Sequence, residues 1–467
     1  MIRAVRAVVM VGAVVALGLT RGGRVVAGAP AAASQPPAVE THLVIGYRPG
    51  ASAAELIPVH ARLGARVVRN IVAVHAAVVA LPLDTAAAAG PLHTTLFGDE
   101  AAAAVTPGIR TAHSTLSPGV AAAALLYAAL PAVAYVESDV PGGITAPSEP
   151  SAPPLLREAS NADSSLARTD PFAADQWHLD ATRLPEAWSQ SAADGIRIAI
   201  VDTGVQGDHP DLDSALQPGW NVRDGSNDTN DDHGHGTAVA GVVAAGVGNG
   251  VGVAGAAPGG RIVPVKALGA DGTGWMSDVA AGIVWAADHD ARVIVVAAGS
   301  RQPLRLLADA VAYAGRRGAL VVAAAGNAGA QALDHPAADA GALAVGAVDI
   351  HGALTAWSNR GNGLRLVAPG DDILTTARDG YATASGTSLS AAIVGGVAAL
   401  MIAQRPDAGP DEIARRLIAT ANDDAPAPGI VDAGAATAVE ASDRSPAARL
   451  PGFWRKLPPA YLPAVHR

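Results

Sequence analysis

The 467-residue chain contains no cysteine. That absence removes disulfides, thiolate metal centres and thiol nucleophiles together. A basic surplus is missing as well. The formal net charge is -10 at pH 7, which argues against a nucleic-acid partner, since that would favour a basic face. Long apolar runs are scarce. The run at 7–19, behind Arg3 and Arg6, falls short of the roughly 20 residues of a membrane span. No other stretch reads as long and uncharged enough to cross a membrane. The N-terminal run has instead the charged and apolar regions of a secretory signal, with small residues ("AGAPAAAS") downstream. Residues 1–33 are therefore expected to be a signal peptide, with the mature chain secreted or held in the periplasm or cell envelope. Arg21 and Arg24, between the apolar run and any cleavage site, are unusual for such a segment.

What is present is a large apolar fraction. Hydrophobic residues make up 50% of the chain, enough for two or three domains with close-packed cores. Residues 40–140 read as a small α+β unit. "THLVIGY", "HAAVVALPL" and "AVAYVESDV" are strand-like, and "ASAAELIPVHARLGA" is an amphipathic helix. From 141 to 172 the composition turns Pro/Ser/Ala-rich and reads as a linker. From 173 to 441, short apolar runs such as "GIRIAIVDTGV", "RIVPVKAL", "ARVIVVAAGS" and "ALVVAAAGN" alternate with helical segments. Strands buried on both faces and separated by helices predict a parallel, twisted α/β sheet flanked by helices. Residues 442–467 read as a tail. "GVGVAG" matches the dinucleotide fingerprint by letters, but it follows a helix and runs into Pro258, so it reads as a glycine-rich loop.

Three segments carry chemistry. "IAIVDTGV" ends a buried strand on Asp202, "DDHGHGTAVAGVV" sets His235 at a helix start, and "SGTSLSAA" sets Ser388 at another. Each alone reads as a cap or a surface group. Together they supply a carboxylate to fix an imidazole tautomer, an imidazole to take a proton, and a hydroxyl to attack a carbonyl. The alternative hydrolase order needs a G-x-S-x-G elbow, and none surrounds Ser388.

These three segments resemble the signature motifs of the subtilisin-like serine proteases (subtilases), in the same order. The resemblance covers about 173–440 and includes "GADGTG", "VVAAAGN", "AVGAVD" and "VAPG". It implies an Asp202–His235–Ser388 triad, with Asn327 as the oxyanion-hole amide. It also implies that Gly272, Thr273, Gly274 and Met276 bind extended substrate, beside Trp275, and that Ala297, Ala298 and Gly299 wall the first specificity pocket. Ser385 and Thr387 would shape the turn and Ser390 would cap the helix. The unit at 40–140 resembles the inhibitory propeptides of that family, docking on the catalytic domain with its C-terminal end along the cleft. The expected activity is thus a self-processing secreted serine endopeptidase acting on polypeptides. A catalytically impaired binding or scaffold protein is the alternative, because several flanking residues depart from the family pattern. Ala297 and Ala298 replace Ser-Leu, Ala238 a His, Leu389 a Met, and Ala392 a Pro.

No cofactor is expected for catalysis, and the metal question stays open. Eight Asp and one Arg lie between 202 and 232. The loop "RDGSNDTNDD" (223–232) offers the oxygens calcium prefers, or is a solvated acidic loop. Asn249 in "GVGNGVGV" is a second candidate calcium ligand.

Overall fold

The computed structural model describes residues 41–82, 109–110, 118–145, 169–422 and 428–438. The expected signal segment, most of the expected linker and the tail lie outside the described residues. In the N-terminal unit, strands β1 (Thr41–Tyr47), β2 (Arg66–Ile71), β3 (Ala76–Leu81), β4 (Ile109–Arg110) and β5 (Val133–Ser138) form a sheet ordered β2-β3-β1-β5-β4. Ser52 and Glu55 make a capping box ahead of helix α1 (Ile57–Leu63), and Gly64 ends it in the left-handed region at φ 60°. Successive strand side chains point to opposite faces, and both faces are covered. Leu43, Ile45, Val79 and Leu81 pack with α1 and helix α2 (Pro118–Ala128). Val44, Val78 and Tyr135 face the other way, into a core shared with the C-terminal unit. Double coverage is why "AAVVAL" is apolar at every position.

Strand β6 (Pro141–Gly143) comes next, where the composition predicts linker. It pairs antiparallel with β10 (Thr273–Trp275). The glycines there serve close approach: a methyl group on Gly143 would stand 2.3 Å from the Gly272 carbonyl oxygen. Small residues that resemble linker composition are here what lets a strand fit a narrow space.

The C-terminal unit holds a seven-stranded sheet built from β7 (Arg197–Asp202), β8 (Trp220–Asn221), β9 (Arg261–Lys266), β11 (Val293–Val296), β12 (Leu320–Ala324), β13 (Ala342–Val348) and β14 (Leu366–Pro369). Its order is β14-β13-β12-β11-β7-β9-β8, and every pairing is parallel. The pleat divides the runs between two cores. Ile198, Ile200, Val295 and Val322 face helices α3 (His235–Ala244) and α6 (Thr387–Gln404). Val201, Ile294, Val296 and Val321 face α4 (Met276–Asp288) and α5 (Arg305–Arg316). Each fully buried Val or Ile contributes about 1.5–3 kcal/mol, so the ends of β7 and β12 are firmly anchored. Helix α6 is long and apolar enough by composition to cross a membrane, contrary to the sequence expectation. Its apolar window is 89% buried in the protein, which marks it as the central core helix.

Candidate active site

Asp202 closes β7 and is fully buried. Both its carboxylate oxygens lie 2.9 Å from His235 Nδ1, and Oδ1 also accepts the Thr203 N–H at 2.7 Å. Gly236 makes the approach possible: a methyl group there would stand 2.0 Å from the Gly204 carbonyl oxygen and 3.2 Å from Asp202. Burial of the imidazole pushes its pKa down, but the charge and hydrogen bond of Asp202, with Asp231 beyond, more than offset this. The net effect raises His235 above its ordinary value.

Asp231 belongs to the 223–232 loop, whose oxygens suit calcium. It is buried and accepts from the backbone of His233, Gly234 and Thr237 and from the hydroxyls of Thr203 and Thr237. Burial alone would raise it; these donors hold it below the usual carboxylate range. It shapes the turn that delivers His235. The rest of the loop is likewise spent locally, with Asp224 and Asp228 accepting from Ser226 and Asn230 and Asp232 paired to Lys266 at 2.8 Å. Among the described residues no three His, Cys, Asp or Glu gather at metal-ligand spacing.

Ser388 lies in the first turn of α6, whose N–H groups have no intrahelical acceptor. Helices α3 and α6 pack against each other in one core. Gly396 packs against the Val243 carbonyl, each roughly two turns into its helix. Asn327 follows β12, and its Oδ1 accepts from the Thr387 N–H (3.0 Å) and hydroxyl (2.8 Å), which turns Nδ2 outward. A carbon on Gly386 would stand 3.4 Å from Asn327 Nδ2, 3.8 Å from Ser388 N and 4.0 Å from Ser388 Oγ. Those three atoms therefore surround one small space. The expected hydrogen-bonded row is made on one side only. Ser388 Oγ donates to the Ala297 carbonyl at 3.1 Å, and among the described residues it makes no hydrogen bond to His235. Ser390 does not cap the helix: its hydroxyl donates to the carbonyls of Ala368 and Pro369. Ala392 lies inside α6, past the first turn, in unbroken helix.

The 141–145 segment fills the cleft. Thr273 pairs with Gly143, Gly274 with Gly142 and Trp275 with Pro141. On the opposite edge Gly143 and Gly299 exchange two backbone hydrogen bonds of 3.0 Å, and Ile144 N donates to the Gly272 carbonyl. The Thr145 carbonyl accepts a short hydrogen bond from Asn327 Nδ2. Gly143, Thr145, Ala297, Ala298, Gly299, Gly326, Asn327, Asp334, Thr387 and Ser388 line one pocket. Met276 is fully buried beneath Gly142, and the Trp275 and His42 rings pack at a tilt with centres 4.7 Å apart.

The N-terminal unit is held by its acids. Helices α4 and α5 have no side-chain cap of their own. Asp139 accepts from the Ser277 N–H and hydroxyl, and Glu137 accepts from Arg305 N and Leu306 N at 3.0 Å each. These carboxylates sit where orphan N–H groups and the helix dipoles favour negative charge. Burial nonetheless pushes Glu137 up to about 7, against those two hydrogen bonds. Sequence alone hides these caps, because they are supplied from more than a hundred residues away.

A family model described as the subtilase family matches residues 193–442, and one described as the fervidolysin N-terminal prodomain matches residues 25–94. A thermophilic serine proteinase from Bacillus sp. (strain AK1) is 43% identical over 220 residues, 47% of this chain and 55% of that protein. Thermitase from Thermoactinomyces vulgaris is 40% identical over 234 residues, 50% of this chain and 84% of that protein. Among solved structures, a protease from Pseudoalteromonas arctica aligns with TM-score 0.55 and 33% identity over 58% of this chain and 98% of that one. Fervidolysin from Fervidobacterium pennivorans aligns with TM-score 0.67 over 87% of this chain and 62% of that one. At 24% identity that likeness concerns the fold.

Proposed function

The chain belongs to the subtilase family, and from that premise we propose that it is an exported serine endopeptidase made as a self-processing zymogen. The observation that carries the reading is the Thr145 carbonyl held by Asn327 Nδ2 beside Ser388. It is the contact a scissile carbonyl would make. In this reading Ser388 Oγ swings from the Ala297 carbonyl to His235 Nε2, gives up its proton there, and attacks the carbonyl carbon. Such hydrogen bonds often tighten only in the reactive complex. Negative charge on the carbonyl oxygen is met by Asn327 Nδ2 and the Ser388 N–H. Imidazolium then protonates the leaving amine, and water activated by His235 releases the acyl group. Gly272, Thr273, Gly274 and Gly299 hold the substrate strand, Met276 supports it from below, and Ala297 and Ala298 line the pocket.

The processing bond is the one that follows Thr145. Until it is cut and the N-terminal unit departs, residues 141–145 occupy the site that polypeptide substrates need. No cofactor takes part in the chemistry. A structural calcium would be held by Asp170, Asp211 and Asn249 around the 248–253 loop, in exchange for the N–H groups of Gly248, Gly250, Val251, Val253 and Asn249 that their oxygens accept here. Asp211 is pushed up by burial and by the nearby Asp170 charge, a repulsion that a hard cation relieves.

Treatment with a fluorophosphonate tests the reading. Covalent labelling of the processed protein at Ser388, absent in Ser388→Ala, is expected. An unlabelled, folded protein would favour the scaffold alternative.

A further inference from the structure

The pocket that contains Ser388 and Asn327 has an acid in it. Asp334 is 3% exposed and lines the same pocket as Thr145, Ala297, Ala298, Gly299 and Gly326. Ala297, Ala298, Gly299, Ala324 and Gly326 make up much of that lining, and Asp334 is the charged group in it. Contacts fix its position. A methyl group on Gly326 would stand 2.2 Å from Asp334 Oδ2, and one on Gly299 would stand 3.1 Å from Asp334 Cβ. The backbone is pinned by Asp334 N donating to the Ala325 carbonyl and by the Ser300–His335 bridge beside it.

Its partners leave one oxygen poorly served. Asn359 Nδ2 and Asp334 Oδ2 crowd the same face of Gly326, and Asn359 Nδ2 donates to the Ala325 carbonyl at 3.1 Å. Asp334 Oδ1 is buried and has no hydrogen bond among the described residues. The nearest cation, Arg301 Nε, stands 3.3 Å from Oδ1 in ion-pair contact, on a side chain that is 55% exposed. A buried carboxylate oxygen that has a surface arginine nearby but no hydrogen bond is costly unless a charge partner completes it. The docked segment brings no cation, since Thr145 is short and neutral.

Resting on the proteolytic reading, we infer that Asp334 makes this a pocket for basic side chains, so that the enzyme cuts preferentially after Arg or Lys. A long unbranched side chain suits a slot lined by Ala and Gly, and its terminal cation meets Oδ1 in place of Arg301. The self-processing cut after Thr145 is compatible with this. An intramolecular substrate at high effective concentration tolerates a poor side chain, and a poor side chain also lets the product strand leave.

The test measures kcat/KM on peptides that differ only at the residue before the cut, with Arg, Lys, Leu, Thr and Glu there. The processed wild type is expected to favour Arg and Lys over Leu. Asp334→Asn is expected to lower the Arg/Leu ratio by about tenfold or more, since a charge-assisted contact becomes neutral. Arg301→Ala, a surface change that leaves the fold alone, is expected to raise that ratio by removing the competing cation. Turnover of Leu or Thr peptides with no basic preference, or a ratio unmoved by both variants, overturns the inference while the protease reading stands. No turnover of any peptide overturns both.

Discussion

In the proposed mechanism His235 is the residue whose electrostatics set the pH range of activity. In that mechanism its neutral form accepts the Ser388 proton, and the charge of Asp202 raises its pKa above the ordinary imidazole value despite burial. The sign follows directly: kcat/KM falls as pH drops through that raised value. Asp202→Asn removes the charge, so the acid limb of the kcat/KM profile is expected to move to lower pH. The same change is expected to lower kcat by about 10⁴, the figure known for this change in a serine-protease triad. An acid limb that stays in place would assign the titration to another group. Asn327→Ala removes the donor that meets Thr145 and is expected to lower kcat by about 10²–10³, the magnitude measured for such an amide. Single-turnover kinetics with KM measured in parallel separates this loss from weakened binding. At this level the sequence was informative. An acid after "IAIV", a His between glycines and a Ser before "LSAA" stand out as letters. Asp231, Thr145 and Asp334 do not, because their roles depend on contacts made across the fold.

The helices and strands owe their legibility to how their faces are used. Runs such as "RIAIVD" and "VIVV" read correctly because both faces of the central sheet are covered. The first strands of the N-terminal unit read correctly for the same reason. What composition concealed was β6: "PGG" resembles a linker until β10 and Gly299 are seen on either side of it. The two helix ends capped by Glu137 and Asp139 were hidden too, because the caps come from another part of the chain. Glu137→Ala leaves two first-turn N–H groups of α5 without an acceptor. The N-terminal unit is expected to hold about 2- to 30-fold more weakly after processing, from the roughly 0.5–2 kcal/mol of a lost cap. The dissociation rate of the cut but uncleared complex measures it, and an unchanged rate would show that the apolar face alone holds the unit. Gly236→Ala is expected to force α3 away from Asp202 and abolish self-processing, which a gel of the purified protein reads directly.

Across the whole molecule, one chain carries both the enzyme and the segment that occupies its cleft. Two edges, Thr273–Trp275 on one side and Gly299 on the other, take residues 141–145 between them, and the shared core below fixes the register. Added calcium is expected to raise Tm by about 5–10 °C at 100-fold excess over Kd, and chelation is expected to reverse it. Asp211→Asn should remove the response, whereas Asp228→Asn in the acidic loop should not. The most direct test of the zymogen account is the N-terminal sequence of the purified mature protein, with Ser388→Ala prepared alongside. A mature chain that begins at Ala146, and an intact single chain for Ser388→Ala, is the predicted result. A Ser388→Ala protein cut after Thr145, or a wild type cut far from it, would contradict the account.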